Sequence, residues 1–196
     1  MPLGSSLGAL LFLIYINDIV SYISSNIELF AHDTSLSMVL ENPIITADIL
    51  NDDIQKIQSW ANKWLATFNP AKTESMLISK IMNKPDHPPL FMQNQQITEV
   101  PEHNHLGVIL SNDCSWSVHI KYLTEKAWKW INVMKSLKFT LGRRSLETIH
   151  LFFIRPLLEY GDVIFDNLTN FEKKMNLIKS KTKQQELSPE LPNSLL

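Results

Sequence analysis

The stretch from Thr46 to Phe68 limits the possible folds more than any other part of this 196-residue chain. Its apolar residues recur at intervals of three and four positions, which is the spacing of one face of an α-helix. The dipeptide Asn69-Pro70 ends the pattern, because proline does not continue a helix. The spacing predicts an amphipathic helix over 46–68 that needs an apolar surface to pack against. The apolar positions are Leu50, Ile54, Ile57, Ala61, Trp64 and Phe68.

Shorter segments around this helix predict a second apolar helix and several strands. Ile27–Ala31 and Ser35–Leu40 alternate apolar and polar residues, which is typical of a β-hairpin, and Asp33 falls at its tip. Before the hairpin, the almost wholly apolar stretch 5–21 predicts a helix buried on most sides. Further strands are expected at Ser75–Ser79 and His105–Leu110, and a small hairpin around Asn94 at Leu90–Ile97.

The character of the chain changes to helices after residue 111. Helical spacing covers Ser117–Leu141 and Ser145–Tyr160, and the glycine between them, Gly142, is a residue type that often ends helices. From Asp166 the chain is polar and lysine-rich, and we expect a mobile tail. The sequence therefore predicts an α+β fold, with a mixed α+β part over 1–111, a helical subdomain over 112–165 and a tail over 166–196.

Charge is distributed unevenly along the chain. Residues 1–110 have a net charge of −6, residues 111–196 have +4, and residues 121–155 alone have +6. The overall net charge of −2 argues against a general nucleic-acid binder. The split instead suggests an acidic or metal-binding part followed by a basic part that contacts phosphate.

Cysteine content and hydropathy bear on the compartment. The single cysteine, Cys114, rules out an internal disulfide framework and leaves no disulfide partner in the chain. It fits a reducing, intracellular compartment such as the cytoplasm or nucleus. The apolar run Leu7–Ile16 has no basic leader and is shorter than the roughly 18 apolar residues that a membrane span requires. We therefore expect no membrane association.

Two groups of residues are candidate metal ligands. Asp33, in the turn sequence Phe30-Ala31-His32-Asp33, is an ordinary turn aspartate or a metal ligand, and its residue type alone favours the turn. A zinc site is the other candidate, but its residues lack the paired spacing of a zinc finger, so zinc is disfavoured. The residues of that candidate are His103, His105, Cys114 and His119.

Five blocks, in this order and spacing, resemble the reverse transcriptase of non-LTR retrotransposons, jockey-like elements in particular. The resemblance covers residues 1 to about 170. The blocks are MPLGSSLGALLFLIYINDI, LFAHDTSLS, WLATFNPAKTESMLIS, HLGVIL and WSVHIKYLTEKA. It implies the C-terminal part of a polymerase palm followed by a thumb-like helical subdomain, RNA-directed DNA polymerisation, Mg²⁺ as cofactor, and RNA or an RNA–DNA primer–template as partner.

The family's metal site is altered in this sequence. The resemblance implies a two-metal centre with three aspartates, two of them in a Phe-Ala-Asp-Asp turn. Here His32 stands at one of those positions and Asp33 matches the other, while the third aspartate belongs to a block before the sequence begins. Imidazole is a poor ligand for Mg²⁺, which prefers oxygen. The resemblance therefore implies a damaged metal site with Asp33 as its vestigial ligand, and a chain inactive as a polymerase.

Other site residues follow from the same resemblance. Pro2, Gly4 and Ser5 match the family's nucleotide and template region, although Leu3 replaces its glutamine. Lys72 matches a lysine near the triphosphate. The thumb assignment implies contacts of basic residues with the nucleic-acid backbone. These residues are Lys121, Lys126, Lys129, Arg143 and Arg144.

Two alternatives to a polymerase remain open. In the first, the chain is a non-catalytic module that binds nucleic acid through these basic helices, with Trp128 and Trp130 as core residues or stacking surfaces. In the second, it is a translated remnant without function, which folds poorly because the hairpin lacks a neighbouring strand.

Overall fold

The computed structural model describes residues 6–165 of the chain, and these form two compact units that divide after Pro101. Helices alternate with short β-strands, which confirms the predicted α+β class. The predicted tail over 166–196 lies outside the described residues, as do Pro2, Gly4 and Ser5. Among the described helices, none combines the length and the hydropathy that crossing a membrane requires.

The N-terminal unit is built on two helices and a hairpin, with short strand pairs added later in the chain. Its elements are α1 (Ser6–Ile16), a 3₁₀ turn (Asn17–Val20), β1 (Asn26–Phe30), β2 (Asp33–Ser37), α2 (Pro43–Trp64), a second 3₁₀ turn (Pro70–Lys72), β3 (Glu74–Ser75), β4 (Phe91–Met92), β5 (Gln95–Gln96) and β6 (Thr98–Glu99).

Helix α2 is the predicted periodic helix, shifted by three or four residues towards the N-terminus. The Asn42 side chain accepts hydrogen bonds from the backbone N–H groups of Ile44 and Ile45, at 3.0 and 3.2 Å, and thereby caps the first turn. At the other end, Leu65 adopts a left-handed conformation with φ 56°. Because that conformation ends the helix, Phe68 lies in the following loop and not in the helix, and it packs against the core from there.

The core of this unit lies on one face of α2. Ile57 packs with Ile16 and Ile19, and the inward residues of the hairpin cover this group. A second group centres on Ile54, and Phe68 and Leu36 contact both groups. The hairpin residues at the first group are Ile27, Leu29 and Leu36, and the second group consists of Ile54, Met92 and Ile97.

The prediction that the first helix is buried on most sides is wrong for the described residues. Leu10, Leu13 and Ile14 of α1 are all more than half exposed. Helix α1 is apolar on every side, but the core described above contacts only the side with Phe12, Tyr15 and Ile16. An apolar composition therefore does not give burial here, because a single layer can cover only one side of a helix.

One of the short strand predictions changed in extent and another is confirmed. The segment Ser75–Ser79 is a strand only at its start, where β3 pairs in parallel with β6. By contrast, the small hairpin around Asn94 is confirmed, with β4 antiparallel to β5. Its turn residues Gln93 and Asn94 both have positive φ, 51° and 61°, which is the conformation of a tight two-residue hairpin turn.

The C-terminal unit is a hairpin packed with a group of helices. Its elements are β7 (Glu102–His105), β8 (Val108–Ser111), α3 (Ser117–Leu137), α4 (Arg143–Ile149), a π-helical turn (His150–Ile154), α5 (Arg155–Glu159) and α6 (Asp162–Phe165). Its core is a stripe of α3 packed against the later helices, and the buried members are Ile120, Leu123, Ala127, Ile131, Met134, Leu146, Ile154 and Leu158.

The single strand predicted at His105–Leu110 is wrong, because the chain turns in its middle. Leu106 and Gly107 have φ of 50° and 86°, so β7 folds back antiparallel onto β8. The backbone N–H of Ile109 donates a hydrogen bond to the side-chain Nδ1 of His119, which joins this hairpin to helix α3. The β7–β8 hairpin thus belongs to the compact unit that begins at Glu102.

The second predicted helix, Ser145–Tyr160, starts earlier and is interrupted. It begins at Arg143 and passes through a wider π-helical turn at His150–Ile154 before it resumes as α5. Pro156 explains the interruption, because proline has no N–H to donate and its ring clashes with the carbonyl four residues earlier.

Candidate functional site

The predicted metal turn lies at the end of the β1–β2 hairpin. Phe30 pairs with Asp33, so the connecting turn has only two residues, Ala31 and His32, and Ala31 has φ 50°. Asp33 is therefore the first residue of β2. The prediction that it lies at the tip of the turn is wrong. The side chains of His32 and Asp33 are 88% and 61% exposed.

This turn does not fit a two-Mg²⁺ centre. His32 Nε2 lies 3.8 Å from Asp33 Oδ1, so the imidazole and the only carboxylate of the turn face each other. Two-metal catalysis needs several carboxylate oxygens around ions about 3.5–4 Å apart. Among residues 6–165, no three His, Cys, Asp or Glu side chains are grouped so that they could hold a metal ion. The residues present therefore provide a solvated turn.

Lys72 lies in a well-defined turn on the same core as the hairpin. The Asn69 side chain accepts a hydrogen bond of 3.0 Å from the Ala71 N–H and so caps the 3₁₀ turn that ends at Lys72. Just before it, Phe68 packs in the same apolar cluster as Leu36 of β2. The Lys72 side chain is exposed. One core thus supports both predicted polymerase segments, the hairpin and the lysine turn.

The predicted phosphate-binding lysines share the exposed side of α3. Lys121, Lys126 and Lys129 are exposed, whereas Ile120, Leu123, Ala127 and Ile131 on the other side are buried. Lys126 Nζ lies 4.3 Å from the centre of the Tyr122 ring, so a cation–π contact holds it along the helix. Trp128 and Trp130 are only partly buried and pack against the core of this unit.

The two predicted arginines differ in their surroundings. Arg143 Nε donates to Glu147 Oε1 at 2.8 Å, one helical turn away, so a phosphate would have to displace that carboxylate. Arg144 is exposed. Exposed ion pairs of this kind contribute little to stability, so a phosphate can replace the Glu147 carboxylate at Arg143 at little cost in free energy.

The four residues of the zinc hypothesis do not come together as one group of ligands within the described part of the chain. His119 is fully buried and accepts a hydrogen bond of 3.2 Å from the Ile109 N–H, and burial lowers the pKa of its imidazole. Cys114 is exposed. His103 and His105 lie on β7, with ring centres 6.1 Å apart.

Sequence reasoning missed the most constrained polar group of the N-terminal unit, Asp53. Its carboxylate is fully buried yet accepts the backbone N–H of Ser24 at 3.0 Å and of Ser25 at 2.7 Å, and Lys56 Nζ lies 3.0 Å away. Burial opposes the charge, but these donors outweigh it and hold the pKa of Asp53 below its usual range. The sequence did contain a sign of this role, because Asp53 lies next to Ile54 and one helical turn before Ile57, on the apolar side of the predicted helix.

Asp18 likewise has a partner that the sequence did not reveal. The Trp60 indole Nε1 donates to Asp18 Oδ1 at 2.9 Å, so Asp18 fastens the 3₁₀ turn after α1 to helix α2. This contact makes Asp18 a helix-end residue with a structural partner.

Comparison with known proteins adds no relative to these observations. No family model matches the chain, and neither the curated proteins nor the solved structures contain a match.

Proposed function

We propose that this chain is a non-catalytic module related to the reverse transcriptases of non-LTR retrotransposons, and that it binds RNA or RNA–DNA hybrid through helix α3. The observation that carries the relationship is the Phe-Ala-His-Asp turn at the end of a hairpin whose inner face packs on α1 and α2. The capped Pro70–Lys72 turn on the same core supports it further.

The proposal includes the loss of polymerase chemistry. The hairpin turn contributes one carboxylate, Asp33, and the imidazole of His32 replaces the other. A neutral or cationic group where two dications must sit removes the negative charge that would hold them. Loss of one such ligand costs about 3–4 kcal/mol of transition-state stabilisation, or roughly a hundredfold to a thousandfold in rate.

Primer extension tests this part of the proposal. Purified protein is incubated with an RNA template, a labelled DNA primer, deoxynucleotides and Mg²⁺, with an active reverse transcriptase in parallel. We expect no extended primer. We expect none from His32→Asp either, because among residues 6–165 no third acidic side chain lies close enough to this turn to complete a metal site. Mg²⁺-dependent extension that disappears in Asp33→Ala would overturn the proposal.

Binding is proposed on the exposed lysines of α3. The segment from residue 121 to 155 has a net charge of +6, and Lys121, Lys126 and Lys129 face solvent on one helix. Cations displace the counterions condensed on a nucleic-acid backbone, so affinity falls as salt rises. With three to five phosphate contacts, the log–log slope is roughly −2 to −4.5, depending on strandedness.

Fluorescence anisotropy of a labelled RNA–DNA hybrid, titrated across a salt series, measures this binding. We expect Lys121→Glu/Lys129→Glu to weaken binding tenfold or more and to reduce the slope by about two contacts. Lys63→Glu/Lys80→Glu, which makes the same charge change at two exposed lysines of the N-terminal unit, is the matched control and should change affinity less than twofold.

The same titration distinguishes this proposal from the alternative of a remnant without function. A folded wild-type chain that does not bind hybrid at low salt, with folding checked by far-UV circular dichroism, would favour the remnant. Equal losses in the α3 variant and the Lys63→Glu/Lys80→Glu control would show instead that attraction depends on overall charge and not on α3.

A further inference from the structure

His103 and His105 of the C-terminal unit lie on one strand with their imidazole rings close together. They occupy alternate positions of β7, and alternate residues of a strand point to the same face. Their ring centres are 6.1 Å apart with the ring planes inclined at 38°. Both histidines are half-buried. Glu102 precedes them, Asn104 lies between them, and both of these residues are exposed on the opposite face of the strand.

The neighbouring strand gives this pair a fixed apolar background. In the antiparallel register, His103 lies opposite Leu110 and His105 lies opposite Val108. Directly paired residues of two strands share a face, so Leu110 and Val108 lie beside the rings. The Leu106–Gly107 turn holds this register, and the Tyr160 hydroxyl donates to the Leu106 carbonyl at 2.6 Å. The two imidazoles are therefore presented by a constrained strand.

The separation of the rings matches a shared metal ion. An imidazole nitrogen binds a first-row metal at about 2.0–2.1 Å, which places the ion roughly 3.2 Å from the ring centre. Two rings on one ion then have centres about 4.5 Å apart when they are adjacent ligands and about 6.4 Å apart when they are opposite. The observed 6.1 Å is close to the value for opposite ligands.

We propose that His103 and His105 bind one divalent transition-metal ion of the kind that prefers imidazole, with Cu²⁺ bound most tightly. Imidazole suits Zn²⁺, Ni²⁺ and Cu²⁺, and among divalent first-row metals Cu²⁺ forms the most stable complexes at a given nitrogen site. Its tetragonal geometry takes two imidazoles and leaves the remaining positions to water. This site is distinct from the hairpin turn at His32 and Asp33, and it does not depend on the proposed function.

The test is a titration of the tag-free full chain with Cu²⁺ alone, at pH 7.5 in a buffer that does not coordinate metal. Isothermal calorimetry gives the stoichiometry, and electron paramagnetic resonance reports nitrogen ligands on the ion. We expect one ion per chain and a spectrum with two nitrogen donors. Bound metal also raises the melting temperature, because it binds the folded chain in preference to the unfolded one.

A register exchange is the decisive variant. Asn104→His/His105→Asn keeps the number of histidines but moves one imidazole to the opposite face of β7. We expect affinity for Cu²⁺ to fall about a hundredfold, because the advantage of two linked ligands is lost. His32→Ala, which removes an exposed histidine of the N-terminal unit, should leave affinity unchanged.

The possible results separate clearly. Unchanged affinity in the exchange variant, or a wild-type chain that is folded and binds no Cu²⁺ in the micromolar range, would overturn the proposal. If circular dichroism shows that the exchange variant is unfolded, His105→Gln replaces it in the test. We expect the same loss of affinity for Cu²⁺ in His105→Gln, and an unchanged affinity would overturn the proposal.

Discussion

Replacing Asp53 by alanine should destabilise the N-terminal unit more than any other single change at a polar residue described above. The carboxylate is fully buried and anchors the loop before β1 to helix α2 through the N–H groups of Ser24 and Ser25. Hydrogen bonds to a charged group contribute about 1.5–3 kcal/mol each, and an alanine leaves both donors without their acceptor. Allowing for relaxation and water entry, we expect a loss of about 3–5 kcal/mol in the free energy of unfolding.

The neighbouring residue provides a matched control. Asp52 also contacts Lys56, at 2.7 Å, but its side chain is 62% exposed to solvent, whereas that of Asp53 is fully buried. We therefore expect Asp52→Ala to be indistinguishable from the wild type, since exposed ion pairs contribute little. Both variants remove one negative charge from adjacent positions of one helix. The difference between them isolates burial and the hydrogen bonds to the loop.

Urea denaturation followed by tryptophan fluorescence measures these losses, with Trp60 of α2 as a probe inside the affected unit. The pH dependence gives a second measure. The pKa of Asp53 is lowered in the folded chain, so its stabilisation is present above the usual carboxyl pKa of about 3.9 and is lost as pH falls through the lower folded value. Asp53→Asn should lack this part of the acid dependence. Equal stability of Asp53→Ala and Asp52→Ala would refute the reasoning.

Two further predictions concern the C-terminal unit. Burial lowers the pKa of His119, so the unfolded chain takes up a proton first, and the free energy of unfolding should fall as pH drops below about 6.5. His119→Gln should weaken this dependence on pH, as measured by urea titrations at pH 7.5, 6.5 and 5.5. The same dependence on pH in both proteins would contradict the assignment. Gly107 has φ 86°, and an added Cβ would lie 3.2 Å from Tyr160 Cε1. Gly107→Ala should therefore cost about 1–3 kcal/mol in thermal or urea unfolding, against no measurable loss for Gly142→Ala, whose Cβ would meet no atom within 4 Å.

Local patterns predicted the elements whose determinants lie close together in sequence. The repeat of apolar residues established α2, and the alternation on either side of Ala31-His32 established the β1–β2 hairpin. Both follow from short-range preferences, since side-chain periodicity and turn chemistry act within a few residues. The helical spacing of α3 and its basic character were likewise visible in the sequence, whereas the side of the helix on which Lys121, Lys126 and Lys129 lie was decided by the fold.

Element ends and turns needed the tertiary structure. Leu65 adopts positive φ, which leucine rarely does, so its residue type did not mark the end of α2; in the β7–β8 turn Leu106 does the same, and only the following Gly107 is a typical turn residue. Helix α1 shows the same limit for burial. Its composition indicates that it is apolar, but the neighbours it packs against decide which side is covered, and Leu13 remains exposed.

The sequence by itself determined the class of fold, the two main amphipathic helices and the position of the Phe-Ala-His-Asp turn in the β1–β2 hairpin. Only the tertiary structure decided which distant groups meet. It placed Asp53 under the Ser24–Ser25 loop, nearly thirty positions away in sequence, and put His119 beneath the β7–β8 hairpin. The physical reason is that residue type and periodicity fix what a segment can bury, whereas the partner of a buried polar group is set by the packing of whole elements.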